Sequence, residues 1–193
     1  PPDSPLESVE AIARRYRESS CDALIALGGG SVIDTAKAVN VLVSENDESL
    51  MPYVGVGRIR HSLKPFVAVP TTAGTGSEMT TVSVIKDTGR GLKLFLVSRF
   101  LLPHAAVLDP RVTVGLPADV TAGTAMDALT HAVESYVARK AWAPTQVLSL
   151  QATRLIFSYL EACCTDGSDQ EARRQLALAS FMAGMAFTNV GLG

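Results

Sequence analysis

The chain reads as an α/β domain followed by an all-helical domain. Three observations predict this. Short apolar runs that stop at glycine or proline alternate with amphipathic helical stretches up to about Leu116. One pair of segments alternates apolar and polar residues like a hairpin. Beyond Pro117 every strand pattern disappears and three helical stretches follow. The division predicted is 1–116 for the α/β domain and 117–193 for the helical one.

The elements follow in order. Ser4-Pro5-Leu6-Glu7 predicts a helix start, with Ser4 as cap, Pro5 in the first turn and Glu7 completing a capping box. Leu6, Val9, Ala13 and Tyr16 then recur at helical spacing. Ala23–Leu27 is a short apolar run ending in three glycines, as in a buried parallel strand. Ser31–Val43 reads as the next helix, with Ser31 and Asp34 as a second capping box. Phe66–Val69, closed by Pro70, is another buried strand. Thr80–Ile85 and Leu92–Val97, joined through Asp87-Thr88-Gly89, form the predicted hairpin, and Ala105–Leu108 is one more short strand. Helices are predicted over Ala118–Arg139, Pro144–Cys164 and Asp169–Phe187.

Composition narrows the function. With 193 residues and 47% hydrophobic side chains, the chain supports a substantial core. Seventeen basic residues against nineteen acidic ones leave a formal charge of −2, and no basic stripe carries interleaved aromatics. Nucleic-acid binding therefore has no support. No apolar run approaches the ~20 residues that span a bilayer, so no membrane partner is expected. Cys21, Cys163 and Cys164 form no C-x-x-C pair, which predicts a reduced, cytoplasmic protein. The chain starts PPDSP without Met and stops at NVGLG after an apolar segment, and the expectation is an internal fragment of a longer protein.

Three segments carry chemistry. Gly28-Gly29-Gly30-Ser31 joins a strand to a helix. Such a turn offers free N–H groups and the positive end of a helix dipole to a phosphate, and is equally a tight connection into a capped helix. Pro70-Thr71-Thr72-Ala73-Gly74-Thr75-Gly76-Ser77-Glu78 also follows a strand, so both loops fall at C-terminal strand ends, where open α/β sheets bind ligands. The alternative for this second loop is an ordinary Ser/Thr turn. Asp127 and His131 lie four apart in DALTHAVESYV, on one helix face, where a carboxylate oxygen and an imidazole nitrogen can reach one cation. In isolation the pair reads more readily as a surface carboxylate and a packed core histidine. A catalytic metal usually takes three protein ligands, so further ligands are expected beyond Gly193. His61 reads as an exposed loop residue and His104 as a capping or packing one.

Together GGGSVIDTAKA (28–38), PTTAGTGSE (70–78), the LDP around Asp109, AMDALTHAVESYV (125–137) and AGMAFTNVGLG (183–193) resemble the iron-containing (group III) alcohol dehydrogenase family. The resemblance implies a Rossmann-like nucleotide-binding domain followed by an all-α metal-binding domain, the dehydroquinate synthase-like architecture. It also implies NAD(P)-linked interconversion of an alcohol and an aldehyde or ketone, metal-assisted by Fe²⁺ or, in some members, Zn²⁺. By the same resemblance Gly29, Gly30 and Ser31 would hold the pyrophosphate, with Asp34 beside them. Thr71, Thr72 and Thr80 would lie along the cofactor and Lys93 would reach its ribose. Asp127 and His131 match two metal ligands, and Val82 and Phe187 line the substrate pocket. Two further histidine ligands are expected just past NVGLG. The family region that helps separate NAD from NADP is expected to precede this chain, so either cofactor is compatible. A homodimer and a small alcohol or aldehyde substrate are the partners implied. The competing readings are a glycerol-dehydrogenase-like or dehydroquinate-synthase-like enzyme, and an inactive fragment that retains only nucleotide binding.

Overall fold

The computed structural model describes residues 3–191; the motif residues Leu192 and Gly193 and the leading Pro1-Pro2 lie outside them. The chain runs α1 (Leu6–Glu18), β1 (Leu24–Gly28), α2 (Gly30–Glu45), β2 (Gly55–Val56), β3 (Phe66–Pro70), β4 (Val82–Asp87), β5 (Leu92–Val97), β6 (Ala105–Ala106), α3 (Ala118–Val137), α4 (Ala143–Thr165) and α5 (Gln170–Val190). Short 3₁₀ turns at Ser77–Met79 and Pro110–Val112 shape two of the connections.

Two three-stranded sheets form the first part, in the orders β1-β3-β6 and β2-β5-β4. The first is wholly parallel, with Leu24 opposite Phe66 and Gly28 opposite Pro70. That register brings the glycine turn and the Thr-rich turn off the sheet at one edge, where Thr71 N–H donates to Gly28 O at 3.0 Å. In the second sheet β4 and β5 pair antiparallel from Val82↔Val97 to Asp87↔Leu92. Period-2 alternation sends Ser83, Ile85, Leu94 and Leu96 inward. Val82, Val84, Phe95 and Val97 face the opposite way, into a cleft.

The α/β core gathers Val9 and Ala13 of α1, Val39 and Leu42 of α2, and Ile85 and Leu96 of the hairpin. Leu42 and Leu96 have no exposed surface, and burial of this kind contributes about 2 kcal/mol per side chain. In the helical part, alanines sit at the contacts. Ala125, Ala128 and Ala132 on α3 and Ala179, Ala183 and Ala186 on α5 are buried at three- and four-residue intervals. Arg173 pins this layer to the preceding connection, donating to Gly167 O at 3.0 Å, Thr121 Oγ1 at 2.7 Å and Leu116 O at 3.1 Å. Among the described residues, no helix is long and apolar enough to cross a membrane.

Several local expectations are corrected. Neither predicted capping box forms. Pro5, not Ser4, occupies the cap of α1. Ser4 Oγ instead donates to Ser31 O at 2.7 Å, and Glu7 accepts from Thr88 Oγ1. Gly29 is the N-cap of α2 and has no side chain to cap with, and the Asp34 carboxylate accepts from Ser77 and Val84 instead of the helix start. Strand β1 is not buried on both faces. It is an edge strand, and Ile25 and Leu27 on its outer face are 75% and 60% exposed. The last predicted strand shortens to Ala105–Ala106, although Val107 N–H still reaches Ala68 O at 2.9 Å. The hairpin starts at Val82 rather than Thr80, since the Thr80 carbonyl is drawn to a lysine instead of the ladder.

Candidate active site

Helix α2 begins as β1 ends. Gly28 and Gly30 leave no room for a side chain there. A Cβ on Gly28 would lie 2.6 Å from Val32 Cβ, and one on Gly30 would lie 2.6 Å from the Thr75 side chain. Gly29 sits under Thr72, whose Oγ1 would be 3.3 Å from a Cβ at that position. With no side chain capping α2, its first N–H groups are left for an anion. Gly30 and Ser31 open onto a cavity of about 190 Å³ that also takes in Asp34, Thr75, Lys86 and Lys93. Lys86 is paired with Asp3 at 2.7 Å, whereas Lys93, opposite it in the hairpin, has no ion-pair partner among the described residues.

A larger cleft of about 780 Å³ adjoins this cavity and shares Asp34, Thr75, Val84 and Lys93 with it. One wall is the outer face of the hairpin, and the other is α3 and α5. Here the structure brings together Asp34, Thr80, Val82, Lys93, Asp127, His131 and Phe187. Gly29, Thr71 and Thr72 stand at the sheet edge, outside the lining of both cavities. A separate groove along Ile12, Ile25, Leu27 and Val32 is mainly apolar and brings no histidine or cysteine to its surface.

Asp127 and His131 face the cleft from adjacent turns of α3. His131 Nε2 lies 3.7 Å from Asp127 Oδ1, with the two side chains 15% and 47% exposed. That separation is too long for a hydrogen bond. It is close to the span of two ligands of one ion, roughly 3.4 Å for ~2.1 Å bonds at a tetrahedral angle. Phe187 of α5 lies against the imidazole, ring centroids 4.6 Å apart at 43°. His131 Nδ1 is buried and has no hydrogen-bond partner. The oxygen and nitrogen donors suit Fe²⁺ or Zn²⁺. Among the described residues no group of three or more His, Cys, Asp or Glu converges, so this pair supplies part of a coordination sphere.

The floor between the two cavities is a buried charged cluster, of which sequence reasoning singled out Asp34 but not Lys37 or Glu78. Lys37 is 1% exposed, and its Nζ donates to Thr80 O, Thr80 Oγ1 and Val82 O at 2.9, 2.9 and 2.8 Å. Burial pulls its pKa down to about 8, against the pull of Asp34 and Glu78. Burial likewise raises Glu78 to about 6, with Lys37 opposing. Asp34 is raised by burial too, opposed by Lys37 and by hydrogen bonds from Ser77 Oγ at 2.5 Å and Val84 N at 3.0 Å. The signal was available: Lys37 falls on the stripe Ile33-Lys37-Val41 of an otherwise apolar helix face. Thr81 and Thr188, also missed, join the lining of the cleft. Thr81 N–H donates to Thr188 Oγ1 at 3.1 Å, and nothing local in the sequence joins residues so far apart. The remaining histidines lie elsewhere: His104 Nδ1 accepts from Phe66 N at 3.2 Å, and exposed His61 pairs with Glu45 at 3.0 Å.

The chain is similar to known proteins along its whole length. Residues 1–110 match the profile of iron-containing alcohol dehydrogenase, and residues 121–193 match the C-terminal profile of the Fe-containing alcohol dehydrogenase family. The NAD-dependent methanol dehydrogenase of Bacillus methanolicus is 44% identical over 178 residues, which is 92% of this chain and 46% of that protein. The crystal structure of a 1,3-propanediol oxidoreductase superposes with a TM-score of 0.96 at 39% identity, covering 100% of this chain and 50% of the other. Sulfoacetaldehyde reductase from Bifidobacterium kashiwanohense, in complex with NAD+, superposes with a TM-score of 0.92 at 34% identity, covering 100% and 51%. The chain spans about half the length of the curated relatives it matches. The fold is a Rossmann-like α/β part followed by a helical part, as in these structures. With both profiles matched in order along its length, the chain belongs to the iron-containing alcohol dehydrogenase family.

Proposed function

We propose that the protein carrying this chain is a metal-dependent alcohol dehydrogenase that interconverts a small alcohol and its aldehyde or ketone with NAD(P). The observation that carries this reading is the Asp127–His131 pair, facing a cleft continuous with the uncapped start of α2. The chain would divide at 116/117 into nucleotide and metal-binding domains. NAD is the cofactor named for the Bacillus methanolicus enzyme and bound in the sulfoacetaldehyde reductase structure, which supports NAD here.

Each residue has a task in this reading. The N–H groups at Gly30 and Ser31 receive the pyrophosphate, aided by the dipole of a sixteen-residue helix. Lys93 reaches toward the ribose and Thr80 lies along the cofactor. Gly29, Thr71 and Thr72 shape the rim of the turn. Asp127 contributes a negative charge and His131 a nitrogen donor to a divalent ion, Fe²⁺ or Zn²⁺, with remaining donors from outside the described residues. When bound, the ion supplies Lewis acidity toward the substrate oxygen and the nicotinamide supplies the hydride acceptor. Phe187 holds the His131 ring in place. Val82, Phe95 and Val97 form an apolar wall that excludes water and favours a small, weakly polar substrate.

Elemental analysis and NADH-linked assays of the whole protein test this. Asp127→Asn and His131→Ala should each lower bound iron or zinc at least about 10-fold. They should abolish turnover and leave NADH binding intact. Wild-type metal content and turnover in both variants would sink the proposal.

A further inference from the structure

We propose that Lys37 is a positioning residue for the cofactor, acting through Thr80. This rests on the reading that a nicotinamide nucleotide occupies the cleft.

Lys37 is an unusual choice for its place. It lies in the middle of α2, among Ile33, Ala38 and Val41, all buried. Replacing a buried charge by an apolar side chain of similar volume is often neutral or stabilising. Stability alone therefore does not account for an ammonium at this position, and its hydrogen bonds suggest another purpose. An ammonium has three protons, and all three are used on Thr80 O, Thr80 Oγ1 and Val82 O. Those acceptors belong to two residues of the cleft wall.

The bond to Thr80 Oγ1 decides how that hydroxyl is presented. Its oxygen accepts from Lys37, so its own proton remains to be donated. The internal acceptors on offer, Ser77 O and Val82 O, both lie at a weak 3.4 Å. The hydroxyl is thus set as a donor toward a ligand in the cleft. The third bond, to Val82 O, fixes the first residue of β4, whose side chain faces the same space.

The same helix sets the phosphate end. One turn before Lys37, Asp34 accepts from Ser77 Oγ and Val84 N, and Ser83 Oγ donates to Asp34 O at 2.9 Å. Lys37 and Asp34 together bind residues 77–84 to the helix whose first N–H groups face the anion cavity. A nucleotide held at the helix start then meets Thr80 at a set distance. The charged groups facing Lys37 are Asp34, 4.0 Å away on α2, and buried Glu78 on the Ser77–Met79 turn; Lys93 of β5 lies across the cleft. Lys86 and Asp87, at the far end of β4, pair with Asp3 and Arg90.

The test measures NADH binding to the holoenzyme by fluorescence, alongside thermal unfolding. Lys37→Met should fold with a melting temperature near or above the wild type and bind NADH about 10-fold more weakly at pH 7, the cost of losing one or two oriented hydrogen bonds. Wild-type affinity should weaken as pH rises from 7 to 9.5, because a neutral amine can no longer serve three acceptors. Lys37→Met should be flat over that range. Thr80→Val should reproduce both changes, and the double variant should be no worse than either single one. Unchanged NADH affinity and an unchanged pH profile in Lys37→Met would overturn the positioning role while leaving the proposed function standing. Failure of the wild type to bind NADH would overturn both. Should Lys37→Met not fold, Thr80→Val decides: a wild-type affinity and pH profile in that variant refute the proposal.

Discussion

Gly76→Ala is the most direct probe of how the two parts of the chain are joined over the cleft. Gly76 has φ +61°, and a Cβ there would lie 2.8 Å from Gly184 Cα and 3.2 Å from both Gly184 N and Ser180 O. Two costs add. A non-glycine residue in the left-handed region loses about 1 kcal/mol. Overpacking against backbone, which cannot rotate away, costs about 2 kcal/mol more. The expected loss is about 3 kcal/mol, a large share of the ~5–15 kcal/mol that holds a typical domain. Two controls separate the terms. Gly91 has φ +66° and nothing within 4 Å of its ideal Cβ, so Gly91→Ala should cost only about 1 kcal/mol. Gly184→Ala keeps helical backbone and gains about 1 kcal/mol of helix propensity, but its Cβ would lie 2.9 Å from Gly76 O. It should cost about 1 kcal/mol net. Guanidinium unfolding of the whole protein, followed by circular dichroism, gives all three values. Because Ser77 follows Gly76 directly and Thr80 lies four residues on, NADH affinity should fall in Gly76→Ala and not in Gly91→Ala. The reasoning fails if Gly76→Ala is no more destabilising than Gly91→Ala.

Glu78 provides a pH-dependent prediction. Its folded pKa, about 6, lies above the ordinary 4.5, so the folded state holds the proton more tightly. Its contribution to stability is full below pH 4.5 and is lost as pH rises through 6. Glu78→Gln should therefore gain up to about 2 kcal/mol over the wild type at pH 7.5 and nothing at pH 4, by denaturant titration at both values; a gain confined to the acid side would refute it. Arg173→Met should strand the Leu116 and Gly167 carbonyls and the Thr121 hydroxyl. The expected loss is about 3 kcal/mol, read as a lower melting temperature. A change below about 0.5 kcal/mol would show those acceptors to be satisfied by water.

Much of this arrangement was legible in the chain. The apolar run before Gly28 and the run closed by Pro70 became neighbouring parallel strands, as short apolar runs ended by Gly or Pro between helices predict, though β1 buries only its inner face. The D-x-x-x-H spacing put Asp127 and His131 on one helix face, as helical geometry requires. The capping boxes were misread for a common reason. Ser4, Glu7 and Asp34 have partners 27 or more residues away, at Ser31, Thr88, Ser77 and Val84. A local motif is only an offer, and a distant donor in better geometry outcompetes it.

By itself, the sequence determined the order of the helices and of every strand but β2, the two turns at one sheet edge and the donor pair on α3. All of these depend on periodicities and backbone preferences acting over a few residues. Only the tertiary structure decided what those pieces share. It brought Phe187 of α5 onto His131 of α3 and hydrogen-bonded Thr188 to Thr81. It also buried Lys37 under Thr80 and Val82 and crossed Gly76 over Gly184. The physical reason is that each of these contacts exists only once two distant surfaces exclude water between them. A buried lysine is tolerable only when its three acceptors arrive together, and no local spacing encodes that arrival.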